Sequence, residues 1–425
     1  MTLPPTTRDH PVWLHVGTLL DGTSTTPARD AHIVYDGSEI LFVGRNGDLP
    51  PRDLVRGDQT TPDFIAPDYT LLPGLIEAHA HLFLEGGELA LEKRAAYIKR
   101  SPDDLLSEAR KRLEKLIRLG ITAVRDAGDK DGVGLALSKL YLSGNRPLMP
   151  YVESPGAAIH HRGRYGSFMG EPLEDFPSPH DCVAARVKAG ADRIKLIPTG
   201  IIDFKKGLVT SAPQMTLDEV RQLVAAAKFF GRQTFAHASG DTGIDYVIDG
   251  GVDSVEHGFF VRDDQLAKMC DRQTAWVPTF APVQEQIDHA DVMGWTPEIV
   301  TNLRKIIDRH SSSLVKAHGM GVLIVAGSDA GSVGVAHGPG LLYEMELMER
   351  AGLPALAVIN AATGVSSARL GYKEKFGRIA PGYLSRFILT KYSPLKTVTN
   401  LRRAKTVIFD GAVFETGDNT DDKGL

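Results

Sequence analysis

The stretch TLLPGLIEAHAH, residues 70–81, decides the fold. An apolar run of strand length ends in His79-Ala80-His81. Residues two apart on a strand leave the same face, so both imidazoles point together. Four further β-like runs carry a residue able to meet a divalent cation: Lys195 in DRIKL, His237 after RQTFA, His257 after VDSVE and Asp329 after VLIVAGS. Imidazole nitrogens and carboxylate oxygens suit zinc and similar ions. A single His-x-His pair is usually a surface or structural feature. In the order His-x-His, Lys, His, His, Asp, the same pair offers a two-metal hydrolytic centre at the mouths of parallel strands.

Working outward, β-like runs at 75–79, 121–126, 149–154, 193–197, 233–237, 253–257, 274–279 and 322–327 alternate with helical segments. Two of these helices are 103–119, with apolar residues at helical spacing, and 216–230, opened by a Thr216/Glu219 capping box. Eight strands with interposed helices suggest an α/β fold, a (β/α)8 TIM barrel over 73–377, whose active site lies at the carboxyl ends of the strands. Residues 12–72 read as short strands broken by Asp-Gly turns, and RFILTKY and AKTVIFDGAVFET repeat that texture near the other end. Neither end has strands enough alone, so 1–72 plus 378–425 are expected to form one small β-sandwich domain.

Composition narrows the class. The 425 residues are 42% hydrophobic and 24% charged, as in ordinary globular proteins. A net charge of −5 argues against nucleic acid as a partner. Cys182 and Cys270 lie far apart with no CxxC and read as structural thiols. The amino end lacks the basic-then-apolar pattern of a signal peptide, and runs such as 322–327 are too short to cross a bilayer. A cytoplasmic chain without a membrane partner is the expectation.

Several ordered motifs together resemble the amidohydrolase superfamily. They are Pro73-Gly74-Leu75-Ile76 with His79 and His81, Gly120-Ile-Thr-Ala-Val-Arg-Asp126, Ile194-Lys195-Leu196, His237-Ala238, Ser254-Val255-Glu256-His257-Gly258, Gly327-Ser328-Asp329-Ala330 and Gly377-Arg-Ile-Ala-Pro-Gly382. Within the superfamily the chain is similar to binuclear amide hydrolases, namely prolidase-type carboxypeptidases and bacterial ochratoxin-degrading amidohydrolases. The resemblance implies that His79, His81 and Asp329 hold a more buried metal, and His237 and His257 a more exposed one. Lys195 would bridge them as N6-carboxylysine, since an ammonium cannot ligate a cation. Two divalent ions, expected as Zn2+, would share a water whose pKa approaches neutrality. Asp329 would act as general base and then as general acid. A small-molecule amide substrate and a homo-oligomeric state are expected on the same ground. Three positions depart from the family pattern. Glu77 replaces the usual aspartate, Ile197-Pro198-Thr199-Gly200 replaces a Ser-Gly-Gly turn after Lys195, and Ser385-Arg386 replaces Ala-Asp.

Substrate contacts are read more coarsely. The loop GAAIHHRGRYG, 156–166, offers His160 or His161 to the scissile carbonyl and Arg162 or Arg164 to a carboxylate. His289 is expected to line the pocket, and Glu88 to reach its entrance. The leading function is metal-dependent cleavage of N-acyl amino acids or dipeptide-like amides with a free carboxylate, ochratoxin-type N-acyl phenylalanine among them. The alternative is a mononuclear deaminase or cyclic-amide hydrolase on the same barrel. Deaminases of this kind need a glutamate shortly after a metal-site histidine and dispense with the bridging lysine. Here Ala-Ser-Gly-Asp follows His237, and Lys195 is present. A non-catalytic relative would have lost ligands, and none is missing.

Overall fold

The computed structural model describes residues 10–143 and 148–417. Its strands, in chain order, are β1 (Val12–Leu19), β2 (Ala28–Tyr35), β3 (Ile40–Gly44), β4 (Phe64–Pro73), β5 (Leu75–Ala80), β6 (Ile121–Asp126), β7 (Tyr151–Glu153), β8 (Ile194–Leu196), β9 (Thr234–Ala238), β10 (Ser254–His257), β11 (Ala275–Val277), β12 (Arg386–Thr390), β13 (Lys405–Phe409) and β14 (Ala412–Thr416). The chain divides into two compact units. One comprises the described parts of Met1–Ile76, Glu114–Ala123 and Pro354–Leu425, the other Glu77–Leu113 and Val124–Leu353. Among the described residues, no helix is long and apolar enough to cross a membrane.

In the first unit both ends of the chain share a single seven-stranded sheet, in the order β14-β13-β12-β4-β1-β2-β3. The link is the antiparallel pairing of β12 with β4, Phe387 opposite Pro73 and Thr390 opposite Thr70. Alternation along β1 sends Val12, Leu14 and Val16 into a core with Ile33, Tyr35, Phe387 and Ile408. The Asp-Gly turn after β2 closes as expected, with Asp36 Oδ1 accepting from the backbone N–H of Ser38 and Glu39. Gly74, in the Pro-Gly pair that precedes His79, allows a close approach. A Cβ there would lie 2.3 Å from the Thr122 side chain.

The second unit carries the alternating strands and helices. β11-β10-β9-β8 form one sheet, with parallel pairings throughout, and β5-β6-β7 form another. Seven of the eight expected strands appear within two residues of their expected limits. The eighth, 322–327, forms no regular strand. It bonds its neighbours through single bridges, Leu323 O accepting from Trp276 N at 2.9 Å and Ala326 O from Ala78 N at 3.1 Å. Between the two sheets, Lys195 O accepts from Ile159 N at 2.9 Å. The helix at 216–230 is Leu217–Phe229, and its Thr216/Glu219 capping box is formed in both directions.

Candidate metal centre

Each ligand candidate sits where a strand stops. His79 is the penultimate residue of β5 and His81 the first beyond it; Lys195 is central in the short β8; His237 lies near the end of β9 and His257 at the end of β10. Asp329 follows the irregular eighth segment, aligned to β5 by the parallel bridge Ala80–Ala330. Gly327 makes that alignment possible, because a Cβ there would come 2.9 Å from both the Cβ and the backbone N of His79. All six are buried. His257 and Asp329 hold φ values of 69° and 56°, a left-handed backbone that turns their side chains away from the strand direction. Such strain persists where surroundings over-determine it, and functional sites are where it collects.

Residues 250 positions apart in the chain thereby converge. His79 Nε2 and His81 Nε2 stand 3.6 and 3.5 Å from one atom, Asp329 Oδ1, too far for hydrogen bonds. The His237 and His257 rings lie 4.5 Å apart, and those of His79 and His257 5.1 Å. One ligand atom from each of His79, His257 and Asp329 falls within 4.8 Å of the others. Lys195 Nζ lies over the Phe235 ring at 4.7 Å, with the Arg125 guanidinium over the same ring at 4.5 Å.

Outer hydrogen bonds decide which nitrogen each imidazole presents. His79 Nδ1 lies 2.5 Å from Glu256 Oε2, and His81 Nδ1 3.2 Å from Gly128 O. Both partners only accept, so both rings carry their proton on Nδ1 and keep the lone pair on Nε2. His237 is reversed: Nε2 faces Gly200 O at 3.3 Å, leaving Nδ1 as the lone pair. His257 Nδ1 meets the Thr279 hydroxyl at 2.7 Å.

Glu256 is itself held by Arg125, whose Nη2 reaches its carboxylate oxygens at 2.9 and 2.8 Å, and by Ser254 Oγ at 2.6 Å. Arg125 and Glu256 are both buried, and each is the other's charged partner. Glu77 takes up a supporting place, accepting from the backbone N–H of His79 and Ser328 and from Ser328 Oγ.

Burial dominates the electrostatics. It holds His81 and His237 down at about 3, with the Lys195 ammonium adding to it, and puts His79 and His257 well below the ordinary imidazole range. All four rings are therefore neutral, the form that ligates a metal. Burial lowers Lys195 to about 8, against the Glu256 carboxylate and with the help of Arg125. It pushes Asp329 up to about 7. Among the described residues His79 Nε2 and Asp329 Oδ1 are buried without any hydrogen-bond partner. Neutral lone pairs and an unpartnered carboxylate oxygen in one dry cluster fit a divalent cation.

The other sequence candidates do not join this cluster. His160 is pinned within its loop, Nδ1 to His161 O and Nε2 to Gly170 O, both at 2.9 Å. His161 pairs with Glu174 at 2.7 Å and Glu219 at 3.1 Å, and the exposed Arg162 with Asp175. Arg164 donates to Ala212 O at 2.9 Å. His289 bonds back to Glu285 at 3.2 Å, and Glu88 accepts from Ala90 N at 2.8 Å. The residue of that loop which reaches the centre is Tyr165. Its ring lies 5.1 Å from His237, and burial together with the Asp329 carboxylate raises its hydroxyl pKa. Nothing in the spacing of 156–166 distinguished it from the basic residues around it.

Comparison with known proteins bears on the family and the fold. The model of the family described as "Amidohydrolase family" matches residues 70–413. A crystallised Xaa-Pro dipeptidase with bound methionine superposes with a TM-score of 0.78, at 29% identity over 96% of this chain and all of that one. The ochratoxinase of A. niger superposes with a TM-score of 0.77, at 22% identity over 98% of this chain and 99% of its own. An uncharacterized protein of Mycobacterium tuberculosis is 26% identical over 294 residues, 69% of this chain and 72% of that protein.

Proposed function

The chain belongs to the amidohydrolase family, and from that premise we propose that it is a metal-dependent hydrolase of C–N amide bonds, built on a closed (β/α)8 barrel. The bridging bonds at Ile159, Leu323 and Ala326 support closure, since they link the two sheets and the eighth segment. His79, His81 and Asp329 would hold one divalent ion, His237 and His257 a second, and Lys195 would bridge both. Bound there, the ions supply polarisation of the scissile carbonyl and a water acidic enough to ionise near neutrality.

The remaining work falls to the chain. Lys195, buried and with its pKa drawn down to about 8, has a neutral fraction near neutral pH. Its Nζ lone pair can add to carbon dioxide and shed one proton, leaving a carbamate with two anionic oxygens. Asp329, beside both His-x-His rings, would take a proton from the attacking water. It then returns that proton to the leaving nitrogen, which an amide requires because its amine is a poor leaving group. The half-buried Tyr165 lies beside His237.

The observation that carries the proposal is the pair of orphaned buried atoms, His79 Nε2 and Asp329 Oδ1, with neutral imidazoles around them. Substrates are small N-acyl amino acids or dipeptide-like amides with a free carboxylate. This follows from likeness to a Xaa-Pro dipeptidase and an ochratoxinase. The test is amine release by zinc-loaded protein from N-acyl phenylalanines, Xaa-Pro dipeptides and other dipeptides. Turnover of at least one group is expected. Silence across the set from protein shown to hold metal would overturn the substrate class.

A further inference from the structure

We propose that Thr279 is a positioning residue for the centre: a strained backbone, pinned on both sides, presses its hydroxyl against His257 and fixes which nitrogen that ring offers. This rests on reading the cluster as a metal centre. Thr279 is completely buried, two residues beyond β11. Its φ of 49° lies in the left-handed region, where a β-branched residue is a genuine outlier that costs stability. Threonine at such a position calls for a reason, because asparagine or glycine would relieve the backbone.

The flanks show what enforces the conformation. On one side His310 Nε2 donates to Pro278 O at 2.9 Å. His310 is itself caged by the rings of Phe259, Trp276 and Phe280 at 4.1, 5.2 and 4.6 Å. On the other, the buried Glu344 carboxylate accepts from Phe280 N at 2.9 Å and Ala281 N at 2.8 Å. The same wall grips His257 twice, since Trp276 Nε1 donates to His257 O at 2.9 Å while Thr279 Oγ1 meets His257 Nδ1 at 2.7 Å.

The chemistry gives that last contact its meaning. His79, His81 and His237 are each oriented by a carboxylate or carbonyl, which can only accept. His257 is oriented by a hydroxyl, which can do either. With the proton on Nδ1 and Thr279 accepting, Nε2 keeps its lone pair and can ligate. Outer partners of this kind set the tautomer and typically govern metal affinity by about 10- to 100-fold.

Two measurements test the proposal on the full chain. The first compares wild type, Thr279→Val and Thr279→Ser by zinc content and by competition with a chromogenic chelator. Valine keeps the branched shape and removes the acceptor, so the zinc that His237 and His257 would hold should loosen by about 10- to 100-fold. Serine keeps the hydroxyl and should recover most of the loss. Equal zinc affinity in folded Thr279→Val would overturn the proposal. The second needs no substitution: long-range 15N–1H spectra of zinc-loaded wild type should show His257 protonated at Nδ1. A proton on Nε2 would contradict it. Wild type that takes up no zinc at all would overturn the metal-centre reading beneath it, and this proposal along with it, before any variant is made.

Discussion

Among the described residues the same trio of side chains occurs twice, two histidines and an aspartate, and the two copies behave differently. In the terminal sheet, His15 and His32 face each other across β1 and β2, with Asp30 beside them. Their rings stack at 4.5 Å, His15 Nε2 bonds Asp30 Oδ1 at 2.6 Å, and Trp13 Nε1 donates to His32 Nδ1 at 3.0 Å. Asp30 is largely open to water. In the second unit, His79, His257 and Asp329 are all buried. Their outward nitrogens are taken by Glu256 and Thr279, while His79 Nε2 and Asp329 Oδ1 are left with nothing to bond. Residue type and proximity are alike in both. The difference is that His15 and His32 each have a hydrogen-bond partner beside an exposed aspartate, whereas the second trio is buried with two polar atoms unpartnered. An unpaired buried polar atom is costly. That cost marks where a ligand is expected.

Four substitutions separate the two sites, in descending size of effect. Lys195→Ala and Asp329→Ala should each lower amide turnover by about a thousandfold, measured as kcat on the best substrate of the panel, because bridging and proton transfer would both fail. Lys195→Ala should also lose metal by elemental analysis, and full metal with full activity would break the account. Next, in chelator-treated protein Asp329→Asn should unfold at a higher temperature than wild type at pH 8. Burial raises the folded pKa of Asp329 to about 7, so the stability of its protonated form is complete at low pH and is lost as pH rises through that value. Asparagine carries no such penalty. The gain should exceed about 2 °C at pH 8 and vanish near pH 4. A gain that instead grew on acidification would reverse the sign and refute the burial argument. Smallest of all, His32→Asn should leave zinc content and kcat unchanged within error; loss of an ion there would mean that the outer trio binds metal too.

Much of this was legible in the chain because the barrel-type strands are short apolar runs ending on ligand residues. The His-x-His after Pro-Gly, the strand of Lys195 and the capping box at Thr216 needed only local pattern. The eighth segment was less legible. VLIVAG has strand chemistry, yet its backbone meets its neighbours at isolated bridges, passes close to His79 at Gly327 and takes a left-handed turn at Asp329. Functional roles that depend on long-range partners were not legible at all. Arg125 and Glu256 lie 131 positions apart and form one buried pair. His160 looked available in the sequence, but both its ring nitrogens face carbonyls of its own loop, those of His161 and Gly170. Tyr165 and Thr279 had no local signature, because what singles them out is the ring and the imidazole they meet.

The central claim is that His79, His81, Lys195, His237, His257 and Asp329 enclose two divalent cations. Crystals of the full chain grown with zinc, measured on both sides of the zinc absorption edge, test it directly. The account predicts two anomalous peaks among these six side chains, with density for a carboxylated Lys195 between them. Peaks absent from that cluster, or found only beside His15, Asp30 and His32, would contradict it.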